Sequence, residues 1–209
     1  MKFTLLLSAL PLALASVIPR DTATVAAPAG AKLISITHGG TGCPQDAKLA
    51  YTAGQSLDQS IEATLTTAEF SVGAGSSYTI VDSRKNCQWN VALSVPAGYK
   101  YQVASSRYKG ALNLATGTTA VQKATYYYAG ETFQWESENE FSGPLKSHYW
   151  IEDVLPQSAP WSPCGRQANL NINSQVRVDN EANPKASGSA TGSINNEISL
   201  SLDVRWAKC

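Results

Sequence analysis

Glu136, Glu138 and Glu140 recur at every second position of the segment ETFQWESENEF. Side chains of a strand alternate between its two faces, so this spacing puts all three carboxylates on one face. Carboxylates gathered in this way suit two chemistries. A pair can act as acid and base on a glycosidic bond, and a cluster of oxygens can hold calcium. Glu131, Glu152 and Asp153 extend the acidic set and make it the best enzymatic candidate in the chain. The plain alternative is a solvated face, in which neighbouring glutamates repel unless a Lys or Arg stands opposite.

Other chemistry-bearing residues are sparse. His38 lies beside a glycine pair and His148 follows the Pro144 turn, and the chain has no further histidine. Neither sits in a recognisable catalytic motif, and a lone histidine is more often structural. No G-x-S-x-G elbow occurs. The predicted mature start at Ser16 excludes a copper site built on an N-terminal histidine. Trp135 and Trp161, with three further tryptophans and nine tyrosines, could line a sugar platform or a protein-binding patch, or belong to the core. The candidate binding residues are therefore His38, Trp135, Glu136, Glu138, Glu140, His148 and Trp161. No catalytic residue, metal or cofactor is assigned, and a non-enzymatic role is expected.

The elements that must position these groups read as strands. In Cys87–Val95, Cys87, Trp89, Val91, Leu93 and Val95 alternate with Gln88, Asn90, Ala92 and Ser94. Tyr99, Tyr101, Val103 and Ser105 repeat the period after Pro96-Ala97-Gly98, which predicts a hairpin. Turn signals at Lys109-Gly110 and Thr116-Gly117 continue it as a meander through Ala111–Ala115 and Ala120–Tyr128. Further strands are expected at Lys32–Thr37, Ala47–Tyr51, Ile61–Phe70, Tyr78–Val81, Glu131–Phe141 and His148–Val154. Val72–Ser77 and the proline-rich Leu155–Gly165 read as loops and as candidate contact segments. Short strands, frequent turns and no amphipathic helix predict an all-β, disulfide-stapled antiparallel β-sandwich.

The chain's 209 residues suit a single domain. Lys2, the apolar run Phe3–Leu14 and Ala13-Leu14-Ala15 form a signal-peptide pattern over residues 1–15. Residues 16–31, rich in Ala, Pro and Thr, read as a flexible lead-in, and 32–209 as the sandwich. Basic and acidic residues number 16 each, so no whole-molecule field favours nucleic acid or an acidic membrane. Cys43, Cys87, Cys164 and Cys209 lack C-x-x-C spacing and read as two disulfides rather than a zinc site. If Gln167–Val178 and Ser193–Trp206 pair as a long hairpin, Cys164 lies beside Cys209, which leaves Cys43 for Cys87.

Several motifs resemble a known family. GGTGCPQ (39–45), RKNCQWNV (84–91), YKGALNL (108–114), ATYYYAG (124–130), FSGP (141–144), WSPCG (161–165), LNINSQVRV (170–178) and VRWAKC (204–209) are similar to the secreted fungal domain-of-unknown-function 4360 proteins. The resemblance implies a small extracellular ascomycete protein and brings no catalytic residue with it. The leading expectation is an effector-like protein that binds an extracellular host protein, a secreted protease being one candidate. The alternatives are a wall-carbohydrate binder or glycoside hydrolase using the acidic face, and a structural wall component.

Overall fold

The computed structural model describes residues 23–53, 57 and 60–209, so the expected signal peptide at 1–15 lies outside the described residues. Residues 23–31 of the expected lead-in are described, and the Val25 amide donates to the Trp206 carbonyl at 2.9 Å. The described residues form an antiparallel all-β sandwich. Its strands are β1 (Lys32–Gly39), β2 (Lys48–Ala53), β3 (Ile61–Thr66), β4 (Ser71–Ala74), β5 (Arg84–Ser94), β6 (Tyr99–Leu114), β7 (Thr119–Tyr128), β8 (Gln134–Ser142), β9 (Leu145–Val154), β10 (Ala168–Asp179), β11 (Gly188–Thr191) and β12 (Glu197–Lys208). One sheet runs β1-β5-β10-β7-β8. The other runs β2-β3-β12-β6-β11-β4, with β9 on the far side of β6.

The core forms where the inward faces meet. Trp89, Val91 and Leu93 of β5, Leu170 and Ile172 of β10, and Tyr126 and Tyr128 of β7 pack from the five-stranded sheet. Tyr101, Leu200, Leu202 and Trp206 oppose them from the seven-stranded sheet. Each fully buried large side chain of this kind contributes about 1.5–3 kcal/mol. Tyr101 centres an aromatic contact, meeting Tyr128 edge-on at 5.3 Å and Trp206 at 5.5 Å between ring centroids. Its hydroxyl donates to the Ala168 carbonyl at 3.3 Å, so the phenol is not left unpaired.

Several boundaries differ from the sequence expectation. Pro96-Ala97-Gly98 does not close a hairpin, because β5 and β6 lie in different sheets and the turn is a corner between layers. Lys109-Gly110 is not a turn but lies inside the 16-residue β6. A bulge explains the misreading. Ser105 faces Asp203 while Val103 faces Val204, which leaves Ala104 as an extra residue. Inward positions therefore change from Tyr101 and Val103 to Tyr108, Leu112 and Leu114. Residues 119–128 return to the other sheet, so no meander forms. Val72–Ser77 overlaps β4 rather than being wholly loop, and Tyr78–Val81 gives way to a 3-10 turn at Ile80–Ser83. β11 (Gly188–Thr191) lies between Gln167–Val178 and Ser193–Trp206, within the turn-rich Asn180–Gly192 expected to join them.

Cys43 is bonded to Cys87 and Cys164 to Cys209, with Cα separations of 5.3 and 6.1 Å. The second pair does not meet through the expected hairpin, since β10 and β12 belong to different sheets. Instead both cysteines converge on the corner before β6. The Cys209 amide donates to Gly98 O at 2.9 Å, and the Gly165 amide donates to Tyr99 O at 2.8 Å.

Candidate functional site

The outer face of the five-stranded sheet carries a connected set of amides. Register places Asn90 opposite Asn171 and Gln88 opposite Asn173 across β5 and β10. It then places Asn171 opposite Tyr127 and Asn173 opposite Thr125 across β10 and β7. The Asn90 amide donates to Asn171 Oδ1 at 2.9 Å. Gln88 Nε2 lies 3.2 Å from both Asn171 Oδ1 and the Tyr127 hydroxyl oxygen. Asn173 Nδ2 donates to Gln88 Oε1 at 3.3 Å. These bonds fix which way each amide points; Asn171 itself is buried beneath its partners, while Gln88, Asn90 and Asn173 are half-buried and keep contact with solvent.

The ladder continues into charge on β7 and β8. Lys123 Nζ donates to Glu136 Oε2 at 2.7 Å, while Thr125 and Gln134 donate to Glu136 Oε1 at 3.3 and 3.2 Å. The Lys123 hydrogen bond holds the Glu136 carboxyl below the usual glutamate range. Glu136 is thus an ionised acceptor, whereas a general acid needs its proton near working pH. A groove of about 530 Å³ opens over this surface, with Tyr127, Thr125, Lys123 and Asn173 on its floor and Glu136, Glu138 and Arg177 among its lining.

The candidate residues from the sequence separate into several places. Glu136, Glu138 and Glu140 do share the exposed face of β8. Trp135 points the other way, between the layers, with its ring 5.5 Å from that of Tyr126. His38 stands on β1, at the opposite edge of the same sheet, with Nδ1 3.4 Å from the Cys43 carbonyl. His148 is exposed on β9, on the other sheet. Trp161 is held within the 155–165 loop by a 3.1 Å bond from Nε1 to Gln157 O, and Lys100 Nζ lies 5.0 Å from its ring centroid.

The wider acidic set is not one cluster either. Glu131 faces Arg166 at 3.8 Å, Glu152 faces Arg107 at 3.0 Å on the seven-stranded sheet, and Asp153 is buried. Among the described residues, no group of three or more His, Cys, Asp or Glu is arranged to hold a metal ion.

Sequence reasoning passed over the amides. Their signal was present in LNINSQVRV, where Asn171 and Asn173 alternate with Leu170 and Ile172, but only the fold shows that Gln88, Asn90 and Tyr127 adjoin them.

The buried Asp153 is a second unexpected feature. Ser137 donates to its Oδ1, and Tyr126 OH donates to Oδ2 at 2.7 Å. Tyr108 OH lies 2.8 Å from Tyr126 OH and extends the chain into the core. Burial raises the Asp153 carboxyl above the ordinary aspartate range, against the opposing effect of the Ser137 and Tyr126 bonds. The folded state therefore holds this proton more tightly than the unfolded chain. Its stabilising contribution is complete below the unfolded value of about 3.9 and is lost as pH rises through the raised folded value. Asp153→Asn removes the titration. The stability of this variant relative to the natural protein should rise between pH 3 and pH 7, as measured by urea unfolding at both. An unchanged difference would contradict the assignment.

A family model described as "Domain of unknown function (DUF4360)" matches residues 29–209. The chain belongs to this family. An "Uncharacterized secreted protein" of Arthroderma benhamiae is 35% identical to this DUF4360 protein over 179 residues, covering 85% of this chain and 71% of the relative. Among solved structures, TmCBM61 in complex with β-1,4-galactotriose aligns at a TM-score of 0.29 and 11% identity, over 83% of this chain and 88% of that one. The Clostridium thermocellum xylanase 10B CBM22-1–GH10 modules complexed with xylohexaose align at a TM-score of 0.23 and 11% identity, over 83% of this chain and 26% of that one. At those scores the likeness assigns nothing to the DUF4360 chain. No helix among the described residues is long and apolar enough to cross a membrane.

Proposed function

We propose that this DUF4360 protein is a secreted, non-catalytic glycan-binding protein whose ligand lies across the outer face of the five-stranded sheet. The observation that carries the reading is the pre-bonded ladder Gln88–Asn90–Asn171–Asn173, which reaches the groove at Asn173 and Tyr127. A sugar offers vicinal hydroxyls that both donate and accept. Planar amides match this pattern, and amides already fixed by one another lose little freedom on binding. The Tyr127 ring offers a surface for the apolar C–H face of a pyranose. The amides are neutral and Lys123 pairs with Glu136, which suits an uncharged polysaccharide such as a β-glucan or chitin. Secretion is supported by the signal-peptide pattern, by two disulfides and by the name of the Arthroderma relative.

The test is retention on insoluble β-1,3-glucan and chitin, followed by titration with their hexasaccharides. Asn171→Ala and Tyr127→Ala should each weaken binding about tenfold, near 1.4 kcal/mol, with the melting temperature as a control on folding. Full binding by both folded variants, or no binding to any glycan, would overturn the reading.

A protein partner outside the cell is the second reading, and it has its own observation. Ile80 and Val81 are 87% and 74% exposed on the 3-10 turn. The turn is tightened by bonds from the Thr79 amide and hydroxyl to Asp82 Oδ2 at 2.8 and 2.7 Å. Two aliphatic side chains on a rigid tip suit a protein contact. A double Ile80→Asp, Val81→Asp variant should then lose a captured extracellular protein while its glycan retention stays unchanged. Equal capture by this variant would remove the reading.

A further inference from the structure

The opposite sheet carries an aromatic side chain that the fold does not use. Trp150 on β9 is 69% exposed, although its strand neighbours Tyr149 and Ile151 are buried. Register sets it across from Lys109 of β6. Beside it lies a depression of about 300 Å³, lined by Glu62, Arg107, Lys109, Ser199 and Ser201.

The floor of this depression is pre-arranged. Arg107 is fixed between Glu152 and Asp203, each 3.0 Å from its Nη2, and its Nη1 donates to Ser201 Oγ at 3.0 Å. Ser201 in turn donates to Glu62 Oε1 at 2.7 Å. Lys109 has no carboxylate within ion-pair distance among the described residues and is left free to meet a ligand.

We propose that Trp150 and this depression form a second saccharide site, so that the protein bridges two polysaccharide chains. The inference rests on the glycan reading of the groove and extends it. A pyranose has an apolar C–H face and a polar rim. The exposed indole takes the face, and Lys109, Ser199 and Ser201 take the rim. A protein-binding hot spot sits in a well-packed pocket ringed by contacts that exclude water. Here the groups beside it are hydroxyls and charges, and the next exposed apolar residue on the strand, Val154, is four positions on. The groove and Trp150 occupy the outer faces of opposed sheets, whose layers stand about 10 Å apart before side chains are added. A single extended chain lying on one face cannot reach the other, so two occupied sites mean two chains.

The experiment is calorimetric titration of the intact, disulfide-bonded protein with hexasaccharides of β-1,3-glucan and of chitin. It is paired with turbidity on a soluble, high-molar-mass β-glucan and on glycol chitin. The natural protein should bind a second equivalent of hexasaccharide and cloud the polymer. Trp150→Ala should lose that equivalent and the clouding while keeping groove binding, and Trp150→Tyr should restore both. Asn171→Ala should lose the other equivalent. A single equivalent that Asn171→Ala abolishes and Trp150→Ala leaves untouched overturns the second site and leaves the groove standing. A single equivalent with the reverse sensitivity overturns both the groove and the bridging. No binding to either probe overturns both as well.

Discussion

Replacing Cys164 and Cys209 together by serine lowers the unfolding free energy by about 4 kcal/mol, the loop-entropy value for a crosslink of this span. The bridge closes a 45-residue separation. It also ties the 155–165 loop directly to the end of β12. The 155–165 loop has no strand ladder of its own, and Cys209 is the last residue after β12. At the corner before β6, Gly165 donates to Tyr99 O, and Cys209 donates to Gly98 O just beyond the β12–β6 ladder, which runs to Lys208 opposite Tyr99. Without the disulfide, the cysteine end of the loop is anchored by the bonds from the Tyr101 amide to Ser162 Oγ at 2.9 Å and from Ser162 N to Tyr101 O at 2.8 Å, while bonds from Gln102 to the Gln157 and Ala159 carbonyls and from Arg205 to the Leu155 carbonyl hold its start. Urea unfolding of the double variant under oxidising conditions measures the cost. A loss under about 1 kcal/mol would show that the loop and the chain end are held without the bridge.

Gly110→Val destabilises by about 2–3 kcal/mol, although valine suits a strand interior better than glycine does. A Cβ built at Gly110 falls 2.0 Å from the Thr191 carbonyl oxygen and 2.4 Å from the Tyr149 hydroxyl. That gap is what lets the Tyr149 hydroxyl donate to Thr191 O at 2.9 Å over β6. The added side chain must push out either the backbone of β11 or the buried Tyr149 ring. Gly39 at the end of β1 is the internal contrast, because a Cβ there meets nothing within 4 Å. Gly39→Val should be neutral or should stabilise by up to about 1 kcal/mol. Thermal unfolding of the two variants side by side checks the claim, and equal effects would contradict the close approach at residue 110.

Those two glycines also show where sequence reading stops. Alternation in Cys87–Val95 and Leu170–Val178 states plainly that these are strands with one apolar face, and the sandwich follows from such segments. Alternation does not say which sheet a strand joins. Pro96–Gly98 reads as a hairpin turn and is a corner between layers, because a turn sequence fixes local direction and the partner strand is chosen by distant packing. Gly110 reads as a break because the bulge at Ala104 changes the inward parity ahead of it, and a lone glycine then looks like the end of a strand.

The site was legible in the same partial way. The glutamate face of β8 follows from period alone. Trp135 attracts attention because it adjoins those glutamates in sequence, yet one residue of offset turns it to the opposite face. Trp150 looks like any other aromatic residue in HYWIEDV, and only its strand partners show that nothing covers it. The amide ladder spans β5, β10 and β7, drawn from widely separated stretches of the chain, so no local pattern contains it.

The most direct measurement is to follow the side-chain amide resonances of asparagine and glutamine by NMR while β-1,3-glucan hexasaccharide, and separately chitin hexasaccharide, is added. A groove that binds glycan shifts the signals of Gln88, Asn90, Asn171 and Asn173 with at least one of them. It leaves Asn180 and Asn183 unmoved, since these are bonded to backbone carbonyls away from the groove. Shifts confined to other residues, or no shift with either sugar, would contradict the assignment of this face as the glycan site.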